Sequence, residues 1–130
     1  MMPMKLHHIG IACQDIAEFK GRLSKLFPIV EDGPIVKDPL QDATLCIVEM
    51  EGGLRMELIE GSPVQQAIKK NITYYHLCFT VKDIDKTVQS MQEQGCIIVS
   101  HSKPAVLFND RKVAFLYTPI GLVELLEEAE

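Results

Sequence analysis

The second half of this chain repeats the first, and that repeat is the strongest limit on how it folds. His8-Ile9-Gly10-Ile11-Ala12-Cys13-Gln14-Asp15-Ile16 aligns without gaps to His76-Leu77-Cys78-Phe79-Thr80-Val81-Lys82-Asp83-Ile84, 68 residues later (8 to 76). Met56-Glu57-Leu58-Ile59-Glu60 returns as Val123-Glu124-Leu125-Leu126-Glu127, 67 residues later (57 to 124), so one residue is absorbed in a loop. A repeat of this size is one supersecondary unit, and every element of one half should recur in the other.

The local pattern supplies those elements. Residues 5 to 13 and 73 to 81 are rich in β-branched and aromatic side chains and read as strands. Asp15 and Asp83 stand where a carboxylate caps a helix. Ile16, Phe19 and Leu23 follow at helical spacing in the first half, and Ile84, Val88 and Met91 in the second. Gly95 is a helix stop. Three strand-like runs then follow each helix: 29 to 36, 44 to 51 and 54 to 60, then 96 to 101, 112 to 118 and 121 to 127. Gly52-Gly53 and Pro119-Ile120-Gly121 mark the last hairpin of each half. The pattern is βαβββ, twice, an α+β chain. Ser62 to Lys70 reads as a short connecting helix, with Ser62 as its cap and Pro63 at the first helical position.

With 130 residues the chain fits one domain, built of two modules at about 4–61 and 73–128 with a linker helix over 62–72. Apolar residues at 47% and charged residues at 24% are globular values, so the whole chain should fold. A net charge of -5 argues against a sequence-independent grip on nucleic acid. Met1-Met2-Pro3-Met4-Lys5 lacks the apolar core of a signal peptide and no run of apolar residues is long enough to span a bilayer, so a cytoplasmic protein with no membrane partner is expected. Cys13, Cys46, Cys78 and Cys96 form no C-x-x-C pair and read as free thiols, mostly in the core. Glu127 to Glu130 reads as a solubilising tail.

The chemistry follows from strand parity, because side chains alternate between faces. Ile9 and Ile11 share one face while His8 lies on the other with Leu6, Gly10 and Ala12. His76 is opposed in the same way to Leu77, Phe79 and Val81. On the last strand of each half, Glu57 opposes Met56 and Leu58, and Glu124 opposes Val123 and Leu125. A carboxylate in the middle of an apolar strand costs several kcal/mol unless it is paired or neutralised. That anomaly occurs twice, at equivalent positions. Arg55 is a partner within reach of Glu57, but Glu124 has no basic neighbour in its strand. A lone histidine of this kind is usually a core residue, and a lone buried glutamate usually an ion pair. Two of each, symmetry-related, point instead to one divalent cation held by His8, Glu57, His76 and Glu124. The mixed N/O set suits zinc, nickel, cobalt, iron or manganese and leaves two positions of an octahedral ion for substrate oxygens.

These residues resemble the vicinal oxygen chelate superfamily, which includes glyoxalase I, methylmalonyl-CoA epimerase, extradiol dioxygenases and the fosfomycin and bleomycin resistance proteins. The resemblance runs from about Lys5 to Glu127. Leu6-His7-His8-Ile9-Gly10-Ile11-Ala12, Met56-Glu57-Leu58-Ile59, Tyr75-His76-Leu77-Cys78-Phe79 with Asp83-Ile84, and Gly121-Leu122-Val123-Glu124-Leu125 carry it. It implies a curved, half-open mixed β-barrel and one divalent ion, nickel, zinc or cobalt. It further implies that two neighbouring substrate oxygens chelate the ion, stabilising an enediolate as an adjacent C–H loses its proton. Glu124 or Glu57 would act as general base, with Glu124 favoured.

Within the superfamily the resemblance favours a glyoxalase-I-type lyase, turning the hemithioacetal of a 2-oxoaldehyde and a thiol into a hydroxyacyl thioester. The alternative is acyl-CoA epimerisation of the methylmalonyl-CoA type, which the stretch from Ile59 to Lys70 resembles. Epimerases carry a Glu-x-Gly-Val-like segment that supplies a base, and here that region is Leu40-Gln41-Asp42-Ala43-Thr44. Glutathione-using glyoxalases follow the second ligand with a Thr-His-Asn-like segment, and here it is Leu58-Ile59-Glu60. Dioxygenases use two histidines and one glutamate, which makes Glu57 superfluous. A drug- or metabolite-binding module of the same fold is a third reading.

Asn109, Arg111 and Lys112 lie in a polar segment before the seventh strand and are candidate contacts for an anionic group of the thiol carrier. His7 should face away from His8, and His101 stands at a strand end with no assigned role. Open strand edges make a homodimer the expected assembly.

Overall fold

The computed structural model describes residues 3–129; Met1, Met2 and Glu130, on which part of the leader and tail readings fall, lie outside the described residues. The chain divides into two compact units, one from His8 to Tyr75 and one from His76 onward together with the first residues up to His7.

The first unit holds most of β1 (Lys5–Ala12), then α1 (Ile16–Leu26), β2 (Ile29–Asp32), β3 (Val36–Asp38), β4 (Ala43–Met50) and β5 (Arg55–Gly61). Its sheet runs β2-β4-β5-β1, and β3 pairs with β4. β1 and β5 are parallel, with Gly10 opposite Glu57. β4 and β5 are antiparallel, with Ile47 opposite Glu57 and Glu49 opposite Arg55. One face packs on α1: Ile11, Cys46, Val48, Met56 and Leu58 meet Ile16, Phe19 and Leu23, the helical positions marked by spacing.

The second unit repeats this plan with β6 (Tyr74–Val81), α3 (Ile84–Glu93), β7 (Ile97–Ala105), β8 (Arg111–Thr118) and β9 (Gly121–Glu127). Its sheet runs β6-β9-β8-β7. Val81, Ala114, Leu116, Val123 and Leu125 pack against Ile84, Val88 and Met91 of α3. The described residues are thus α+β with few helices, as the repeat requires, and hold nine strands where the repeat predicts eight.

Both long helices start as expected. Asp15 Oδ1 accepts from the Glu18 amide and Asp83 Oδ1 from the Lys86 amide, each at 3.1 Å. A second carboxylate completes each cap from the far end of its module. Glu60 Oε2 accepts from the Ile16 amide at 3.0 Å and Glu127 Oε2 from the Ile84 amide at 3.4 Å. After α3, Gly95 takes a φ of 97° and the Cys96 amide reaches back to the Met91 carbonyl at 3.0 Å, so the glycine stops the helix in a left-handed turn.

Four expectations need correction. The run from 29 to 36 is two strands, because Gly33-Pro34 interrupts it: Pro34 has no amide to donate, and a Cβ on Gly33 would lie 2.6 Å from the Ile47 carbonyl oxygen. The run expected over 96 to 101 extends to Ala105, so His101 is exposed in mid-strand rather than at its end. Pro104 is tolerated there because, among the described residues, β7 pairs only with β8 and its other side is an open edge. Ser62 is not a helix cap. Gly61 precedes a 3-10 turn over Ser62–Val64 with no side-chain cap, Ser62 Oγ donates to the Asp42 carbonyl at 3.4 Å, and the helix proper, α2 (Gln65–Lys69), is five residues. Finally, Arg111 already belongs to β8, which starts one residue before the expected run and is the eighth strand because the run from 29 to 36 is split.

All four cysteines are free thiols, three of them buried and Cys96 half-buried. Among the described residues no helix is long and apolar enough to cross a membrane.

Candidate metal centre

Each unit buries one histidine against one glutamate. In the first, β1 delivers His8 and its parallel neighbour β5 delivers Glu57, and His8 Nε2 lies 3.4 Å from Glu57 Oε1. The two residues are 0% and 3% exposed. In the second, β6 delivers His76 and β9 delivers Glu124, with His76 Nε2 3.0 Å from Glu124 Oε1 and Glu124 1% exposed. The residue opposite the glutamate is small in both units, Gly10 in one and Cys78 in the other, which gives the carboxylate room to reach diagonally to the histidine. Arg55, the candidate counter-ion, sits opposite Glu49 and its Nε lies 3.3 Å from Glu49 Oε1.

The spacing suits a metal. With zinc–ligand bonds of about 2.1 Å, two donors on one ion stand about 3.0 Å apart at right angles and about 3.4 Å apart in a tetrahedron. Each pair therefore has the separation of two neighbouring ligands. The donors are an imidazole nitrogen and a carboxylate oxygen, the set that borderline divalent ions prefer.

The surroundings of the two pairs differ. Phe115 on β8 lies opposite Glu124, and its ring meets His76 edge to face, with centroids 5.6 Å apart at 90°. Sequence reading passed over Phe115. Its signal was the alternation along β8, which puts Val113, Phe115 and Tyr117 on the face of Glu124. The equivalent residue in the first unit is Ile47.

The remaining candidates have partners within the second unit. Arg111 Nε donates to the Glu127 carbonyl at 2.8 Å, and Lys112 Nζ lies 3.8 Å from Asp85 Oδ2 on α3. Asn109 takes a left-handed backbone, φ 55°, between the 3-10 turn Val106–Phe108 and β8. His7 packs edge-on against Phe108 of that turn, with centroids 5.6 Å apart.

Residues 7–115 match the model of the Glyoxalase/Bleomycin resistance protein/Dioxygenase superfamily, which is most of the chain. The chain belongs to that superfamily. None of the curated proteins compared with it matches. Among solved structures, a hypothetical protein from Bacillus halodurans C-125 is 26% identical over 98% of this chain and 96% of its own, with a TM-score of 0.74. Methylmalonyl-CoA epimerase from Mycobacterium tuberculosis, 19% identical, covers 96% of this chain and 88% of its own at a TM-score of 0.76. A Streptomyces coelicolor methylmalonyl-CoA epimerase in complex with 2-nitronate-propionyl-CoA, 20% identical, covers 99% and 96% at a TM-score of 0.75. At these identities the two epimerases share the fold of this superfamily member.

Proposed function

We propose that His8, Glu57, His76 and Glu124 hold one divalent cation, nickel, zinc or cobalt, and that the chain is a metal-dependent lyase of the glyoxalase type. The observation that carries this reading is the duplicated His–Glu pair: two carboxylates in apolar strands, each beside an imidazole at ligand spacing, each buried. One cation would offset both charges, which burial otherwise makes costly. When bound, the ion supplies Lewis acidity to two neighbouring substrate oxygens.

The substrate is the hemithioacetal of a 2-oxoaldehyde and a thiol. Glu124 takes the proton from the carbon that bears sulfur and returns it to the adjacent carbon, giving a hydroxyacyl thioester with no net change in composition. Glu124 is favoured for this role because Phe115, opposite it, packs edge-on against His76, whereas Glu57 has Ile47 at the equivalent place. Glu57 remains a ligand, and the histidines fix the geometry. Arg111, with Asn109 and Lys112 beside it, is the candidate contact for an anionic group of the thiol carrier.

Acyl-CoA epimerisation is the second reading, favoured by the fold likeness to methylmalonyl-CoA epimerases and served by the same proton removal and return. The test is proton exchange in deuterated water with nickel- or zinc-loaded protein. Label incorporated from a methylglyoxal hemithioacetal supports the lyase, and label only in an acyl-CoA supports the epimerase. No label from either, with metal bound, leaves a ligand-binding module. A homodimer is the assembly proposed, and a monomer mass at micromolar concentration would remove it.

A further inference from the structure

Strand register shows what surrounds the substrate position on the second unit. The row across the sheet that contains Glu124 continues into Phe115. In the next row Tyr117 stands opposite Leu122, and Ile97 of the edge strand β7 stands opposite Tyr117. Opposed residues share a face, and so do alternate residues of one strand, so Phe115, Leu122, Tyr117 and Ile97 are all on the Glu124 side. The other face is occupied by α3, against which Ile98, Leu116 and Val123 pack. The strip starts at the ring that touches His76 and opens outward, with Tyr117 54% and Ile97 66% exposed. From β9 to β7 it spans two strand spacings, about 10 Å, the width of an aromatic ring with its edges. None of the four side chains is charged.

The same row of the first unit is polar. There Arg55 stands opposite Glu49, joined by their 3.3 Å contact.

We infer that Phe115, Leu122, Tyr117 and Ile97 form the subsite for an apolar, flat or branched substituent on the substrate's carbon skeleton, which selects aryl or branched-alkyl 2-oxoaldehyde adducts over the methyl compound. This rests on the lyase reading, because the subsite is defined relative to oxygens placed at the His–Glu pairs. Continuity fixes the occupant: the strip begins at His76, so whatever reaches Glu124 lies along it.

Benzohydroxamate and acetohydroxamate test this by calorimetry, since both present the same two neighbouring oxygens and differ only in the apolar group. The protein is first titrated with zinc and then with each hydroxamate. The expected result is a benzohydroxamate preference of about tenfold or more, the discrimination an apolar pocket gives. Tyr117→Asn and, separately, Ile97→Thr should narrow that preference to less than about threefold, as expected when one wall of such a pocket turns polar. Both positions are exposed, so neither change opens the core. Zinc uptake with equal or no binding of the two hydroxamates overturns the subsite alone, as does a preference unmoved by both substitutions. Failure to take up zinc overturns the metal reading and the subsite together.

Discussion

The two units bury the same pair of side chains and then surround it differently. In the first, the row beside Glu57 carries Ile47, then Arg55 and Glu49 as an ion pair. In the second, the row beside Glu124 carries Phe115, then Leu122, Tyr117 and Ile97. Duplication therefore preserved what faces the helix and what meets the proposed ion, while the rest of the site face diverged. The comparison teaches that equivalent glutamates can have different neighbours, an ion pair in the row beyond Glu57 and apolar side chains in the row beyond Glu124, so the two need not do equivalent work.

The largest expected effect breaks that equivalence. Glu124→Gln should lower kcat by about 10³-fold, the contribution of a positioned general base, with bound metal reduced but recoverable at high metal concentration. Glu57→Gln should act mainly through metal affinity, so that excess metal restores most of kcat. Steady-state kinetics across a metal titration would check this, and equal kcat losses in the two variants would remove the distinction.

The cores should behave as equals. Leu58→Ala and Leu125→Ala each empty a fully buried position at the matching point of their module, and each should cost about 2–5 kcal/mol in denaturant unfolding. A marked difference would show that one unit is the better packed.

Alkaline pH should separate the units by a smaller amount. Burial, with the nearby Glu60 carboxylate assisting, pushes the Cys13 thiol of the first unit up to about 12 from 9.0. Its counterpart in the second unit is Val81, which does not titrate. Between those values the unfolded thiol has lost its proton while the folded one keeps it, so stability is fully present below pH 9 and falls as pH rises toward 12. Cys13→Val, which installs the second unit's residue, should flatten that fall in urea unfolding followed against pH.

The smallest effect concerns the caps. Asp15→Ala and Asp83→Ala should each cost about 1 kcal/mol, and similar values would confirm that both helices start by the same device.

What was legible in the sequence is what local period and repetition encode. Parity put Glu57 opposite Met56 and Leu58, and those two residues are in the first core. Spacing marked Ile84, Val88 and Met91, and all three pack in the second. The features missed depend on distant partners. Glu60 and Glu127 cap helices 44 and 43 residues away, a contact with no local pattern to announce it. Gly33-Pro34 reads as a soft spot in a strand until the approach of Ile47 is known. Pro104 lies inside β7, beyond the end of the run read from the sequence, and its edge position permits it. Phe115 looked like one more apolar strand residue, because its meaning comes from the ring it meets on another strand.

The most direct test counts bound metal. Native mass spectrometry of protein loaded with nickel or zinc, compared with His8→Ala and His76→Ala, reads whether the two pairs share an ion. The account predicts one ion per chain in the wild type and loss of that ion from either variant, although each leaves the opposite pair intact. Two ions per chain, or one that survives the loss of either histidine, would contradict it.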